Sequence, residues 1–351
     1  MAPIHPWPLA AAVTGGIVEH HSDSTPKVAV VIPCFKVRDH ILSVIEGIGP
    51  ECTAIYVVDD CCPVQSGTLV EEKCRDSRVS VIRHAVNKGV GGAVMTGYRQ
   101  AVIDGADIIV KVDGDGQMDP ALIPLFVEPI AKGRADYTKG NRFFDLEKIE
   151  RMPKVRILGN AVLSFLAKIS TGYWSTFDPT NGYTAIHARV VDRLPLHKIS
   201  ERYFFETDLL FRLGTFRAVV EDVPMDAVYA DEKSNLSIAK VLPEFAFKHA
   251  RNFIKRIVYN YYLRDVSLAS IELPIGVLLM ISGVIFGLHH WVDSVTEGQQ
   301  ASAGTVMIAA LQIIVGMQLL LSFIGFDVSG VPREALHSRL FQHRVKKPDG
   351  D

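Results

Sequence analysis

The chain has 351 residues, enough for one large domain or two ordinary ones with a substantial core. Its 37 basic and 39 acidic residues give a formal net charge of −2, which does not favour a nucleic-acid partner. All five cysteines lie between Cys34 and Cys74, without CxxC spacing or a histidine cluster that would complete a zinc site. We interpret them as free thiols in a reducing compartment.

The N-terminal residues 1–26 contain a short apolar patch, PLAAAVTGGIV, that glycines interrupt and that no Lys or Arg precedes. We therefore predict a disordered tail there, with a signal peptide as the alternative.

Residues 28–140 alternate apolar runs with helical patterns, which predicts an α/β domain with a mainly parallel sheet covered by helices on both faces. The predicted strands are 28–33, 54–60, 79–84, 107–115 and 135–141. The predicted helices lie near 37–48, 66–76, 90–104 and 120–131.

Three of these strands end in polar or turn residues: Pro33, the pair Asp59 and Asp60, and the pair Asp113 and Asp115. Ligands of such sheets bind at the carboxyl ends of the strands, so these residues should meet in one crevice. A carboxylate at the end of a buried strand is costly without a partner, and two of them predict a bound cation. The alternative is that each residue only caps a helix or forms a turn.

The segment NKGVGGAVMTG, from Asn87 to Gly97, is glycine-rich and begins a helix. A helix start with small residues can bind a phosphate, so Asn87 and Lys88 are candidate nucleotide contacts. The segment matches neither GxGxxG nor the P-loop pattern, and close packing of the helix on the sheet is an equally good interpretation.

Two stretches near the C-terminus, 273–291 and 304–326, contain no Asp, Glu, Lys or Arg and are each about the ~20 residues that cross a bilayer. They predict a transmembrane hairpin; two buried helices of a soluble core are the alternative. The connecting loop is acidic, whereas the flanking segments are basic. The positive-inside rule then places both flanks in the cytoplasm and the loop, 293–303, outside.

The segment before the hairpin interleaves basic and aromatic residues from Lys248 to Arg264. This pattern is typical of a helix at the membrane interface, where it could also guide a lipid phosphate. An ordinary amphipathic packing helix is the alternative.

Five motifs, VVIPCF, VVDD, NKGVGGA, DGDGQMDP and DPTNGYTA, occur in the order seen in the inverting family-two glycosyltransferases of the GT-A fold. The chain most resembles the branch of dolichyl-phosphate mannose synthase and the bacterial polyprenyl-phosphate glycosyltransferases. The resemblance covers roughly residues 28–240. It implies a Rossmann-like GT-A domain with a mainly parallel sheet, followed by an interfacial helix and two transmembrane helices.

The resemblance also implies roles for individual residues. A site for Mg²⁺ or Mn²⁺ corresponds to Asp113, Asp115 and Gln117. In the family pattern Asp113 also contacts the donor, and Asp115 is a catalytic residue. Their oxygens suit these cations, which take further ligands from phosphates and water. Pro33 and Asp60 correspond to nucleoside-binding positions.

On the acceptor side, Arg142 corresponds to a phosphate-binding arginine, which Arg suits because it forms bidentate charge-assisted hydrogen bonds, and Arg156 is a second candidate. Either Glu206 or Asp208 could be a general base if the acceptor is a hydroxyl, whereas a lipid phosphate needs none. A further segment, Asp178, Asn181 and Gly182, corresponds to a loop against the sugar, although it also reads as a plain turn.

The chain departs from the family pattern in two places. Lys36 and Val37 replace the usual Asn-Glu pair, and Lys233 is the only base near the end of the domain, where mannose synthases have an Arg before Ser-Lys. These departures leave the sugar and one nucleoside contact open.

The predicted organisation is a disordered tail (1–26), a GT-A domain (27–240), an amphipathic interfacial segment (241–268), a two-helix hairpin (269–330) and a basic cytoplasmic tail (331–351). We predict an integral membrane enzyme, of the inner or plasma membrane in a bacterium, whose cytoplasmic domain moves a sugar from a UDP- or GDP-linked donor to a polyprenyl phosphate. A hydroxyl acceptor, or a non-catalytic membrane scaffold, are the alternatives, and a homo-oligomer is compatible with the sequence.

Overall fold

The computed structural model describes residues 25–144, 154–225 and 238–340. The predicted tail, apart from its last two residues, lies outside this part of the chain, as do Lys233 and the last eleven residues.

A seven-stranded sheet in the order β3-β2-β1-β4-β6-β5-β7 forms the centre of the N-terminal domain. Its strands are β1 (Val28–Cys34), β2 (Cys52–Asp59), β3 (Val79–Arg83), β4 (Ile108–Lys111), β5 (Tyr137–Asn141), β6 (Thr184–His187) and β7 (Val220–Pro224). All neighbours pair in parallel except β6, which runs antiparallel to both β4 and β5. The predicted mainly parallel α/β sheet is confirmed, and β6 is an exception that the sequence did not indicate.

Helices cover both faces of the sheet. They are α1 (Ile41–Glu46), α2 (Ser66–Lys73), α3 (Val90–Ile103), α4 (Ile123–Ala131), α5 (Lys154–Thr171), α6 (Ala188–Arg193), α7 (Phe205–Phe216), α8 (Ile238–Val258), α9 (Leu268–Glu297) and α10 (Ala303–Ser329). The first four correspond to the four predicted helices.

Alternation along β1 explains the two cores. Val30 and Ile32 pack on the face covered by α1 and α4, whereas Ala29 and Val31 pack on the face covered by α3. Because a strand buried on both faces needs apolar residues at every position, β1 reads as a continuous apolar run.

The two apolar C-terminal stretches lie within α9 and α10, which pair as an antiparallel hairpin after a short connection. Each helix is long and apolar enough to cross a membrane, and only 11% of its most apolar window is buried inside the protein. The helices approach closely at Gly276 and Gly316, where a Cβ on either glycine would lie within about 3 Å of backbone atoms of the other helix. Small residues at such a crossing are typical of packed membrane helices.

Helix α8, with the π-helical turn Tyr259–Arg264 that follows, connects the sheet domain to the hairpin. One face of α8 is buried against the domain: His249 Nδ1 lies 2.8 Å from Ser170 Oγ, and the Asn252 amide donates to Asp208. The opposite face is exposed and carries both apolar and basic side chains: Phe247, Arg251, Ile254, Lys255 and Val258. This pattern fits the predicted interfacial helix, although Arg256 faces inward rather than toward a headgroup.

Asp327, in the last turn of α10, joins the hairpin to the domain. Its carboxylate accepts two hydrogen bonds from Arg256 on α8, at 2.6 and 3.0 Å, one from Trp174 Nε1 and one from the Tyr261 hydroxyl. The ion pair is almost fully buried, so removing either charge would leave the other without compensation.

The chain returns to the sheet domain after the hairpin. Asp136, just before β5, is fully buried and accepts hydrogen bonds from the backbone N–H groups of Val219, Leu336 and His337. The His337 ring bonds to the same carboxylate and stacks on His187 with ring centres 4.1 Å apart. Residues 335–340, which we call the return segment, are therefore part of the folded domain, whereas the sequence predicted a tail from 331 onward.

Candidate active site

The carboxyl ends of β1, β2 and β4 lie side by side, because β1 pairs with both of the other strands. Pro33 is aligned with Val58, one residue before Asp59, and Val31 is aligned with Lys111. The polar strand ends that the sequence singled out are therefore brought to one edge of the sheet.

Asp113 and Asp115 lie in the loop that follows β4, which ends at Lys111 rather than at the predicted residue 115. Gly116, with φ of +78°, helps to turn the chain there. The Asp115 carboxylate accepts the Gln117 N–H at 3.0 Å, and Asp113 Oδ1 lies 2.7 Å from the ammonium of Lys111. The lysine is only 1% exposed, whereas Asp113 is 27% exposed and lies toward the crevice.

These residues fit a hard divalent cation. Two carboxylates and one amide carry oxygen donors of the kind that Mg²⁺ and Mn²⁺ prefer. Within residues 25–144, 154–225 and 238–340, no group of three or more His, Cys, Asp or Glu side chains is arranged to hold a metal. A cation between Asp113 and Asp115 would therefore complete its coordination with substrate phosphates and water, and it would share Asp113 with Lys111.

Asp60 is buried and organises the loop before α3. Its two carboxylate oxygens accept the backbone N–H groups of Lys88 and Gly89 at 2.8 and 2.7 Å, and the His84 ring lies 2.7 Å from the first of them. The Asn87 amide donates to the Asp60 carbonyl. The structure thus brings Asp60, Asn87 and Lys88 together. The Asp60 carboxylate accepts hydrogen bonds from protein donors, and the contact of Asp60 with a nucleoside stays a prediction.

The glycines of this segment allow close packing. A Cβ at Gly91 would lie 2.4 Å from the Ser200 carbonyl, and one at Gly97 would lie 2.3 Å from the Val31 side chain. Of the two interpretations of the glycine-rich segment, packing of α3 explains these positions without a ligand.

Arg142, directly after β5, forms a bidentate ion pair with Asp178. Its Nε and Nη2 donate to the two carboxylate oxygens at 2.7 and 2.8 Å. Asp178 is buried and has φ of +52°, an unusual backbone conformation for a non-glycine residue. The Arg142 side chain is 29% exposed, and Asp178 fixes the orientation of its guanidinium.

Lys139 is a fully buried lysine on β5 that the sequence analysis missed. It donates to the carbonyls of Phe177 and Asp178, and its ammonium lies 3.8 Å from Asp222. Burial lowers the pKa of Lys139, whereas the nearby carboxylates oppose this effect. The cation therefore supports the loop that carries Asp178.

Glu206 and Asp208, both in the first turn of α7, have different surroundings. Asp208 is buried and accepts from the Ser200 N–H, from Arg212 and from the Asn252 amide of α8. Glu206 is partly exposed, and its charge interacts with Lys111, Asp113 and Lys139. Desolvation raises the pKa of Glu206 to about 8, and the two lysines only partly oppose the shift.

Glu206 thus lies in the electrostatic neighbourhood of the Asp113 loop, whereas the contacts of Asp208 hold two helices together. The structure places Arg156 in α5, but its side chain is outside the described part. A charged residue within an otherwise apolar strand, as in IIVKV, is the signal that could have identified Lys111 from the sequence, whereas the polar strand YTKGN carries no such signal for Lys139.

Comparison with known proteins agrees with this architecture. The model of the family "Glycosyl transferase family 2" matches residues 29–194. The undecaprenyl-phosphate mannosyltransferase of Micrococcus luteus is 30% identical over 176 residues, which are 50% of this chain and 71% of that protein. The UDP-N-acetylglucosamine–dolichyl-phosphate N-acetylglucosaminyltransferase of Methanococcus voltae is 32% identical over 154 residues, 44% of this chain and 61% of that protein.

Among solved structures, glucosyl-3-phosphoglycerate synthase from Mycobacterium tuberculosis in complex with UDP superposes with a TM-score of 0.48 and 18% identity, over 66% of this chain and 80% of that one. The M. voltae match extends over less than two thirds of that enzyme, whereas the M. luteus match extends over more. On the family match and the M. luteus relative, this chain belongs to glycosyl transferase family 2.

Proposed function

We propose that this protein is a membrane-anchored, metal-dependent glycosyltransferase that transfers a sugar from a nucleotide-sugar donor to a polyprenyl phosphate. The observation that carries the proposal is that the domain with the Asp113 and Asp115 loop is bonded directly to a long apolar hairpin through Asp327. Relatives named for undecaprenyl- and dolichyl-phosphate substrates support the lipid acceptor.

The donor would lie across the carboxyl ends of β1, β2 and β4. Asp113, Asp115 and Gln117 would hold Mg²⁺ or Mn²⁺, which neutralises the departing diphosphate. Lys111 fixes Asp113 at 2.7 Å, and Asp60 fixes the loop of Asn87 and Lys88 beneath the nucleotide.

The acceptor phosphate would bind Arg142. Asp178 orients the guanidinium, and an arginine held in this way suits a phosphate because it forms charge-assisted hydrogen bonds. An anionic phosphate oxygen is already a competent nucleophile, so no side chain has to remove a proton.

A hydroxyl acceptor is the second candidate, and the raised pKa of Glu206 favours it. Glu206 interacts electrostatically with Asp113, and a carboxylate with a pKa of about 8 could accept a proton from a hydroxyl near neutral pH. Asp208 is less suited, because its oxygens already accept hydrogen bonds from Ser200, Arg212 and Asn252.

The two candidates differ in the expected effects of Glu206→Gln and Arg142→Ala. With a phosphate acceptor, Arg142→Ala should weaken acceptor use by charge-assisted bonds of roughly 1.5 to 3 kcal/mol. Glu206→Gln should keep a measurable rate that does not depend on pH above neutrality. The measurement is transfer from radiolabelled UDP- and GDP-sugars to polyprenyl phosphate and to the dephosphorylated polyprenol.

Arg99→Ala, at an exposed arginine on α3, is the matched control, and Asp115→Asn in the folded protein should remove nearly all transfer. If polyprenol serves equally well and Glu206→Gln lowers the rate by ~10² to 10⁴-fold, the hydroxyl acceptor is correct.

A further inference from the structure

A cavity of about 110 Å³ lies where the hairpin meets the sheet domain. The ends of α5 and α7, the turn Tyr259–Arg264 and the domain-side ends of α9 and α10 enclose it. Three glycines, Gly172, Gly214 and Gly330, contribute no side chain to its wall. Because the domain-side ends of α9 and α10 form part of its wall, the cavity lies at the level where the apolar helices begin and end.

Three arginines line this cavity, and two of them use only part of their donor capacity on the residues that the structure describes. Arg256 is committed to Asp327. Arg217 donates to the Gly330 carbonyl at 3.3 Å and Arg264 to the Thr215 carbonyl at 2.8 Å, which engages few of the five N–H donors of each guanidinium. With Arg256 and Asp327 neutralising each other, the remaining charged groups among the described lining residues are Arg217, Arg264 and Asp265, so the described wall is net positive.

An unpaired acceptor also lines the cavity. The Asn260 Oδ1 atom is buried and has no hydrogen-bond partner among the residues that the structure describes. A buried acceptor without a partner is costly, so a ligand that supplies a hydroxyl donor would be stabilised there. The wall therefore offers guanidinium donors and an acceptor together.

Beside the cavity, three large apolar side chains are exposed: Leu263 (73%), Val266 (78%) and Leu268 (69%). They alternate along the chain with Arg264 and Ser267, which line the cavity. A ligand with a polar head in the cavity would have an apolar surface for its tail directly outside it.

We propose that this cavity binds an anionic glycerophospholipid, with its phosphate on Arg217 and Arg264, a headgroup hydroxyl on Asn260 and its acyl chains along Leu263, Val266 and Leu268. The inference rests on the proposed membrane anchoring. The bound lipid differs in position from the proposed acceptor, because Arg142 does not line this cavity. The lipid would hold the hairpin against the domain and would not be consumed.

The test compares lipid retention by full-length protein reconstituted in vesicles of phosphatidylcholine with a minor share of phosphatidylglycerol. After extraction in mild detergent, mass spectrometry measures the phosphatidylglycerol that stays bound, relative to phosphatidylcholine. The wild type should be enriched in phosphatidylglycerol, and Arg217→Gln with Arg264→Gln should lower the enrichment about tenfold through loss of two charge-assisted contacts.

The matched control removes the same charge from the exposed face of α8. Arg251→Gln with Lys255→Gln should lower the enrichment much less, because lipids at this exposed face exchange during extraction. Asn260→Asp keeps the side-chain size and both arginines but adds a negative charge, so it should also lower the enrichment; it carries the test if the double arginine variant does not fold.

An equal loss in the control pair would overturn the proposal, because general surface charge would then explain the enrichment. Displacement of the lipid by excess inorganic phosphate would also overturn it in favour of a free-phosphate site. Flotation with vesicles distinguishes failure of the proposed anchoring from failure of the proposed lipid site. Protein that does not float contradicts the anchoring itself. Protein that floats without lipid enrichment contradicts only the lipid site.

Discussion

Glu206 and Asp208 lie in the same helical turn, but their surroundings give the two carboxylates different properties. Asp208 is held by donors from three elements, whereas desolvation raises the pKa of Glu206, whose charge interacts with Lys111 and Asp113, to about 8. Both residues fit the first turn of α7, where acids favour the helix dipole. Only the surroundings distinguish a structural carboxylate from one that can exchange a proton.

The raised pKa of Glu206 predicts a pH-dependent stability. Because the folded protein binds this proton more tightly than the unfolded chain, the contribution is fully present below pH about 4.5 and is lost as pH rises through about 8. Glu206→Gln should therefore raise the melting temperature relative to wild type at pH 9 and have little effect at pH 4. Thermal unfolding in EDTA at these two pH values measures this difference.

Glu201→Gln, at an exposed acid close by, is the control and should show no such pH dependence. A Glu206→Gln profile parallel to that of the wild type between pH 4 and 9 would contradict the raised pKa.

The sequence predicted the residues of the site better than their partners. Asp113 and Asp115 could be found because they interrupt an apolar run at the end of a buried strand. The engagement of Asp60 with the Lys88 and Gly89 N–H groups, and of Arg142 with Asp178, could not be found, because these pairs join distant segments. Spacing along one chain carries no information about such contacts.

The return segment, residues 335–340, attaches the chain beyond the hairpin to the sheet domain through Asp136. Leu336 and His337 reach Asp136 across 200 residues of sequence, and the carboxylate satisfies both of their N–H groups. The Asp136 pKa is lowered because these hydrogen bonds outweigh its desolvation. The carboxylate is therefore charged at neutral pH and holds the segment.

Asp136→Asn should release the return segment. An amide places an N–H group among N–H donors, so we expect a loss of roughly 1.5 to 3 kcal/mol in the free energy of unfolding. Hydrogen exchange at residues 335–340 should become much faster, whereas exchange in β1 should change little. Asp192→Asn, at an exposed position on α6, is the control. Unchanged hydrogen-exchange protection of residues 335–340 in Asp136→Asn would show that Asp136 does not hold the return segment.

The sequence predicted the α/β alternation and the hairpin, because each depends on local apolar periodicity or length. It did not predict the strands β6 and β7, and the short run TAIH of β6 contains no signal for parallel or antiparallel pairing. The sequence also predicted a tail for residues 331–340, because the docking of this segment depends on Asp136, which lies 200 residues before Leu336.

For the whole molecule, the two ends of the hairpin lie on the side of the sheet domain, and the connection between α9 and α10 lies at the other end. With the basic residues near the domain, this arrangement predicts that the connecting loop faces outside and the sheet domain faces the cytoplasm.

A cysteine introduced by Ser294→Cys should react with an impermeant thiol reagent added to intact cells. Ser294 is partly exposed near the end of α9. The native Cys61 is exposed on the sheet domain and serves as the internal control, because it should react only after permeabilisation. Labelling of Cys61 in intact cells, with Ser294→Cys unlabelled, would reverse the orientation.

The double attachment of the hairpin, through Asp327 at its end and through the return segment beyond it, has a kinetic consequence for the anchored enzyme. Under the proposed function, a domain tied at two points would keep its crevice at a constant height above the bilayer, and the enzyme would meet a polyprenyl-phosphate acceptor by lateral diffusion within one leaflet. The relevant concentration is then the mole fraction of acceptor in that leaflet rather than its molarity in the sample. Adding inert lipid at constant acceptor and enzyme would slow turnover by surface dilution, whereas enlarging the aqueous volume would affect only the nucleotide sugar.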